Sequence, residues 1–249
     1  MLNLAQTLWY SSNIGVSRII DDHYRNNPEK FVKGIYRTGL HDDLKIPLVG
    51  ATPARIRMPH RNKNGQYDNW AKTSLPWMSI GYETQIPPIS TLTFYNTIAN
   101  NGKMMRPRFV SKVMKNGETI MEFPPEVMRQ QIAKEKSIKE LQTILEQVVS
   151  LGLGKKAGSP NFKVAGKTGT AQISKGAGGY KSGGTSYLIS FAGYFPADAP
   201  RYSCIVCIQK SGLPASGGTM CGKVFHQISE GIMAQSLKVD VKDARDSAS

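Results

Sequence analysis

Val164-Ala165-Gly166-Lys167-Thr168-Gly169-Thr170-Ala171-Gln172 opens as a β-strand, with Phe162, Val164 and Gly166 alternating against Lys163 and Ala165. Within four positions it then carries a lysine, two threonines and a glycine. On an extended strand Lys167 and Gly169 point to one face and Thr168 and Thr170 to the other, with backbone N–H groups between them. The ammonium contributes a fixed positive field, and the hydroxyls are short donors. Gly169 has no Cβ, so a ligand backbone can approach this edge closely. These residue types in this order suit a carboxylate. Lys-Thr-Gly also ends ordinary strands, so a second motif has to accompany it.

That motif lies near the other end, at Ser11-Ser12-Asn13. Ser-x-Asn before Lys-Thr-Gly is the order found in serine enzymes that recognise penicillin. Three further stretches agree: Met78-Ser79-Ile80-Gly81-Tyr82, Thr97-Ile98-Ala99-Asn100-Asn101-Gly102, and Ser190-Phe191-Ala192-Gly193-Tyr194-Phe195-Pro196-Ala197-Asp198. On these residues nearly the whole chain resembles the transpeptidase domain of class B penicillin-binding proteins, more than it resembles the β-lactamases. Residues 78–82 and 191–202 look most like the septal, division-specific branch, with the elongation-specific branch as the alternative.

The resemblance implies an α/β fold, an antiparallel sheet covered by helices on both faces. In the family that sheet has five strands, two of which precede this region. It also implies one partial transpeptidase domain over residues 1–240, followed by a polar tail at 241–249. By the same resemblance Ser11 lies beside the acylated serine and passes a proton to the leaving amine, while Asn13 binds the substrate's acyl chain. Lys167 keeps Ser11 poised. Thr168, Gly169 and Thr170 bind the terminal carboxylate of a D-alanyl-D-alanine stem or of a β-lactam, and the Thr170 N–H forms half of an oxyanion hole. The implied partners are peptidoglycan stem peptides, β-lactam antibiotics and other cell-wall and division proteins. The implied location is the outer, periplasmic side of the bacterial cytoplasmic membrane, to which the parent protein is anchored. No cofactor and no metal are called for.

The family's nucleophile stands in Ser-x-x-Lys, and no lysine of this chain has a serine three residues before it. Only ten residues precede Ser11. The expectation is therefore a C-terminal part of the domain, inactive alone. A D,D-carboxypeptidase or β-lactamase relative, and a non-catalytic peptidoglycan- or β-lactam-binding module, are the competing readings.

Composition is compatible with all three. At 40% hydrophobic and 20% charged residues, the 249-residue chain reads as globular and large enough for a core without disulfides. A net charge of +14 calls for acidic partners. No stretch interleaves aromatic and basic residues as an RNA-binding strand does, so nucleic acid is not among them. No apolar run approaches the roughly 20 residues of a membrane span, and the first residues do not form a signal peptide. Cys204 and Cys207 sit in an apolar strand pattern where i and i+3 face opposite ways, which argues for small buried hydrophobes rather than a redox or zinc pair. The glycine-rich run 176–182 has Tyr180 where a phosphate-binding loop needs glycine before Lys-Ser, and Gly154-Lys155-Lys156 has Lys156 in place of the hydroxyl.

Periodicity and caps predict the remaining elements. Asn3-x-x-Gln6 opens a short helix, residues 14–24 form one with Ile19 and Ile20 inward, and 28–36 form another closed by Gly39. Residues 45–77, with four prolines, read as one long irregular connection. Pro88 starts a helix with Ile89, Leu92, Tyr95, Ile98 and Ala99 on one face. A hairpin turns at Asn116-Gly117, and Ser137-x-x-Glu140 caps a helix that stops at Gly152. Strands follow at the Lys-Thr-Gly stretch, at 187–194 and at 202–209, the first two joined by a loop at 174–186. A last helix at 222–237 turns Val224, Phe225, Ile228, Ile232 and Met233 to the sheet, and the tail from 242 frays.

Overall fold

A computed structural model describes residues 2–173 and 185–246, with the backbone alone for 238–246. The loop expected at 174–186, with its glycine-rich run, falls outside the described residues except at its end.

Helix α1 (Leu4–Trp9) opens on a reciprocal capping box. The Asn3 N–H donates to Gln6 Oε1 at 3.1 Å, and the Gln6 N–H to Asn3 Oδ1 at 2.9 Å. Helix α2 (Asn13–Tyr24) is capped by Ser12, whose Oγ accepts the Gly15 N–H at 3.1 Å. No residue of α2 is fully buried, so Ile19 and Ile20 are only partly turned inward. Helix α3 (Pro28–Arg37) has proline in its first turn and stops at Gly39, where φ is +79°.

The irregular stretch holds more structure than its prolines suggest. It contains β1 (Arg55–Ile56) and the start of α4 (Ser74–Ser79), with Pro76 near the helix start, where a missing N–H costs no helical bond. Burial of Leu75 and Met78 holds that turn of helix. Strand β2 (Thr84–Gln85) pairs antiparallel with β1.

Helix α5 (Pro88–Ala99) buries Ile98 of the predicted face and packs Ile89 on a core, but its other fully buried residues are Ser90, Thr93 and Thr97, which the spacing does not predict. Its hydroxyls are satisfied internally. Thr93 donates to the Ile89 carbonyl at 2.8 Å and Thr97 to that of Thr93 at 2.7 Å, so these small side chains tolerate burial.

Strands β3 (Met104–Met105), β4 (Lys112–Lys115), β5 (Glu118–Glu122) and β6 (Val127–Arg129) follow, β3 paired with β6 and β4 with β5. The turn at Asn116-Gly117 has positive φ at both residues, 51° and 85°, as a two-residue hairpin requires. Helix α6 (Glu135–Ser150) begins two residues before Ser137, so the expected capping box there does not form.

A single 3₁₀ turn (Lys155–Ala157) leads to β7 (Ala165–Ile173), β8 (Ser186–Phe195) and β9 (Tyr202–Ser211). These make a three-stranded antiparallel sheet in the order β7-β8-β9, with Lys167 opposite Ala192, Thr168 opposite Phe191 and Thr170 opposite Ile189. A π turn (Gly217–Cys221) then feeds α7 (Gly222–Asp246), which continues through the segment expected to fray at 242.

The chain divides into two compact units: Met1–Leu8 with Ser12–Gln142, and Trp9–Ser11 with Thr143–Ser249. In the first, Leu44, Met104, Ile132 and Ile138 form one core, and Val32, Ile56 and Met78 another. In the second, Phe191 and Phe195 of the central strand pack on Phe225 of α7 at ring separations of 4.7 and 5.6 Å. Val149, Ala157, Val164, Ile189 and Cys221 complete that core. Val224 and Ile228, expected against the sheet, are each 37% exposed; the inward stripe is Cys221, Phe225 and Ser229, with Ile232 and Met233 partly buried. The cysteines are all free, with Cys204 half-buried and Cys207 exposed. Cys204, Val206 and Ile208 of β9 pack on the core and Cys207 points to the opposite face, which explains why it is not the buried hydrophobe its pattern suggests.

Candidate active site

In the second unit the site is built where the turn after α1 meets strand β7. Ser11 occupies the left-handed region, with φ of 50°, a conformation uncommon for a residue with a side chain. The segment Trp9–Ser11 is held from the other end of the sequence. The Leu153 N–H donates to the Trp9 carbonyl at 3.0 Å. Gly152 lies so close that a Cβ there would collide with that carbonyl. The glycine ending α6 therefore serves as the seat of the serine turn, besides stopping a helix.

Lys167 Nζ donates to Ser11 Oγ at 2.7 Å, to the Thr168 carbonyl at 3.1 Å and to Thr168 Oγ1 at 3.2 Å. These contacts use the three N–H donors of an ammonium. Among the described residues no carboxylate forms an ion pair with it. Burial without a counter-charge lowers its pKa from 10.5 to about 8. Because the ammonium donates to Ser11 Oγ, the serine's own proton is turned away from it. Ser11 is thus arranged to hand a hydrogen bond, or a proton, to a third group.

On the Thr168 and Thr170 side, the strand is backed by two glycines that the sequence reading did not single out. The Gly217 N–H donates to Thr170 Oγ1 at 3.4 Å. A Cβ on Gly217 would collide with the carbonyls of Gly169 and Ser190, and one on Gly218 with the Leu153 carbonyl. The Gly-Gly dipeptide between β9 and α7 was the available signal, because paired glycines mark close backbone approach as well as turns. Gly169 itself leaves room for Ser190 Oγ, with which a Cβ would collide, so its missing side chain is used inside the sheet. Thr170 is exposed, and no strand among the described residues pairs with the outer edge of β7.

Of the residues singled out in the sequence, Ser11, Lys167, Thr168, Gly169 and Thr170 lie together in this unit. Asn13 belongs to the first unit. It is the exposed first residue of α2 and borders a groove of about 640 Å³ with Ser17, Arg18, Pro76 and Trp77. No group of three His, Cys, Asp or Glu side chains among the described residues could hold a metal. Partial desolvation raises all three thiol pKa values, that of Cys221 to about 11, which favours their protonated form at neutral pH.

The sequence profile of the penicillin binding protein transpeptidase domain matches residues 1–230. Penicillin-binding protein PbpB of Mycolicibacterium smegmatis is 27% identical over 234 residues, 90% of this chain and 34% of that protein. Peptidoglycan D,D-transpeptidase FtsI of Escherichia coli is 27% identical over 235 residues, 93% of this chain and 36% of its own length. The chain thus spans about a third of the length of these curated relatives. Among solved structures, penicillin-binding protein 3 of Mycobacterium tuberculosis complexed with aztreonam superposes with a TM-score of 0.75 at 26% identity, over 94% of this chain and 51% of that one.

Proposed function

The chain belongs to the penicillin-binding protein transpeptidase domain family, and on that footing we propose that it serves peptidoglycan cross-linking in septal cell-wall synthesis. A serine hydroxyl attacks the penultimate carbonyl carbon of a D-alanyl-D-alanine stem, D-alanine leaves with a proton, and a serine ester remains. An amine of a neighbouring stem then displaces the serine, which recovers its proton. Because no Ser-x-x-Lys occurs here, the nucleophile comes from another stretch of polypeptide. This chain supplies the opposite wall of the cleft. Ser11 protonates the leaving nitrogen, Lys167 orients Ser11 and provides positive potential, and Thr168 and Thr170 hydrogen-bond the terminal carboxylate. The outer edge of β7, including Gly169 and the Thr170 N–H, receives the substrate as an added strand and gives half of the oxyanion hole.

The observation that carries this reading is the 2.7 Å contact between Lys167 Nζ and Ser11 Oγ, residues 156 positions apart. The names of the relatives, and the aztreonam held by one of them, support the substrate class. The same proposal extends to location, at the outer side of the cytoplasmic membrane. No helix among the described residues is long and apolar enough to cross it.

The test is nuclear magnetic resonance of the chain with benzylpenicillin and with its methyl ester. The free acid is expected to shift the Thr168 and Thr170 amides reversibly while the ester does not. Fluorescent penicillin is expected to leave no covalent adduct. Equal response to acid and ester, or no response to either, sinks the carboxylate site; an adduct sinks the claim that the nucleophile lies elsewhere.

A further inference from the structure

Residues 104–129 form one antiparallel ribbon in the first unit. Its base is anchored: Met104 is buried in a core, Arg129 forms a bidentate pair with Asp42 at 2.6 and 2.7 Å, and Arg106 one with Glu126 at 2.7 and 2.9 Å. Pairing continues outward through Phe123 N–H to the Ser111 carbonyl and then through β4 and β5 to the turn at Asn116-Gly117. Every residue from 108 to 127 is exposed. That includes Phe109 at 54%, Met114 at 50%, Ile120 at 60%, Met121 at 54% and Phe123 at 40%. A two-stranded ribbon open to water on both faces is marginal by itself, and apolar side chains massed on it mark an interaction surface.

The charges say what covers it. Among the described residues β4 and β5 have no strand neighbour but each other, so both are edge strands. Strand β4 carries Lys112 and Lys115 with Arg108 just before it, and on β5 Glu122 and Glu118 lie directly opposite the two lysines, so the excess positive charge on the β4 side comes from Arg108 and the net charge of the chain. Two β4 edges would set lysine against lysine, and two β5 edges glutamate against glutamate. A β4-to-β5 contact between copies would join two chains that each carry a net charge of +14. A second copy is therefore a poor occupant. A basic partner for the β5 edge meets the same net charge. An acidic partner on the β4 edge is favoured both locally and by the whole field.

We propose that the β4 edge is a docking site for an extended, acidic segment of another protein, added as a third strand to the ribbon. Backbone hydrogen bonds give the pairing, Lys112 and Lys115, on opposite faces of β4, each meet an acidic side chain on their own face, and the partner's apolar side chains cover Met114 and its neighbours. The site is independent of the transpeptidase reading.

The experiment titrates the chain with fluorescent valine octapeptides that carry two glutamates, or two lysines, three positions apart, and follows anisotropy and amide exchange. The acidic peptide is expected to bind at least tenfold more tightly than the basic one and to slow exchange within residues 112–115. In the double variant Lys112→Glu, Lys115→Glu the acidic peptide is expected to lose at least tenfold in affinity while an uncharged valine–serine peptide keeps its own, an outcome that loss of folding cannot mimic. Equal affinities for the acidic and basic peptides, an unchanged acidic affinity in the double variant or protection outside the ribbon overturn the proposal. So does binding to phosphatidylglycerol vesicles without peptide binding, which makes the surface a lipid contact. Dimerisation that depends on the ribbon and excludes the peptide overturns it in favour of a second copy.

Discussion

Among the described residues Lys167 is a cation without a carboxylate partner, and burial, not any change in its chemistry, brings its titration down to about 8. The sign of its pH effects can be stated. The unfolded chain keeps this proton up to about 10.5, the folded one only to about 8. The destabilisation from this group is thus complete below about pH 8 and fades as pH rises from there towards 10.5. Binding runs the other way, since the ammonium that attracts a carboxylate is present below about pH 8. Reversible affinity for benzylpenicillin, titrated from pH 6.5 to 9.5, should fall through about pH 8, roughly tenfold per decade if the charge is the main attraction. Lys167→Arg should flatten that profile; a wild-type profile with no step near pH 8 would show that the ammonium is not what the ligand senses. Ser11, Lys167, Thr168 and Thr170 were all legible as residue types in a known order. The depressed pKa was not, because it depends on which groups surround the ammonium.

At the scale of elements, caps and turns were read most reliably because their chemistry is local. The Asn3–Gln6 box, the Gly39 stop and the Asn116-Gly117 turn each involve residues within a few positions of one another. Ser12→Ala removes the cap of α2 and should cost about 1 kcal/mol in urea unfolding. A change within a few tenths would mean that the cap contributes little beyond solvation. The misreadings came where packing overrode the pattern. Helix α5 buries threonines because their hydroxyls bond to the carbonyl one turn back, which hydrophobic periodicity does not register. Thr97→Val should therefore change stability by less than about 1 kcal/mol, since the Thr93 carbonyl keeps its helical partner. Gly217→Ala should do far more. It forces the π turn away from the carbonyls of Gly169 and Ser190, with an expected loss of about 1–3 kcal/mol. It should also blunt the Thr170 amide response to benzylpenicillin, and an unchanged response would remove Gly217 from the site.

For the molecule as a whole, apolar side chains away from the ribbon are also exposed, among them Ile14, Trp77, Leu153, Leu188 and Leu213. The isolated chain is accordingly expected to bind a hydrophobic dye and to self-associate in sedimentation; a cooperative thermal transition from a clean monomer would contradict that. Sequence alone determined the family, the order of the two site motifs, the three sheet strands and most helix ends, since each rests on local spacing and residue chemistry. Only the tertiary structure decided that Ser11 meets Lys167 at 2.7 Å, that Gly152 and Gly217 seat the two sides of that meeting, and that Val224 and Ile228 face outward. The reason is separation along the chain. Contacts between residues many tens of positions apart are set by how layers stack and where backbones can approach, and no periodicity of two or of 3.6 residues carries that information.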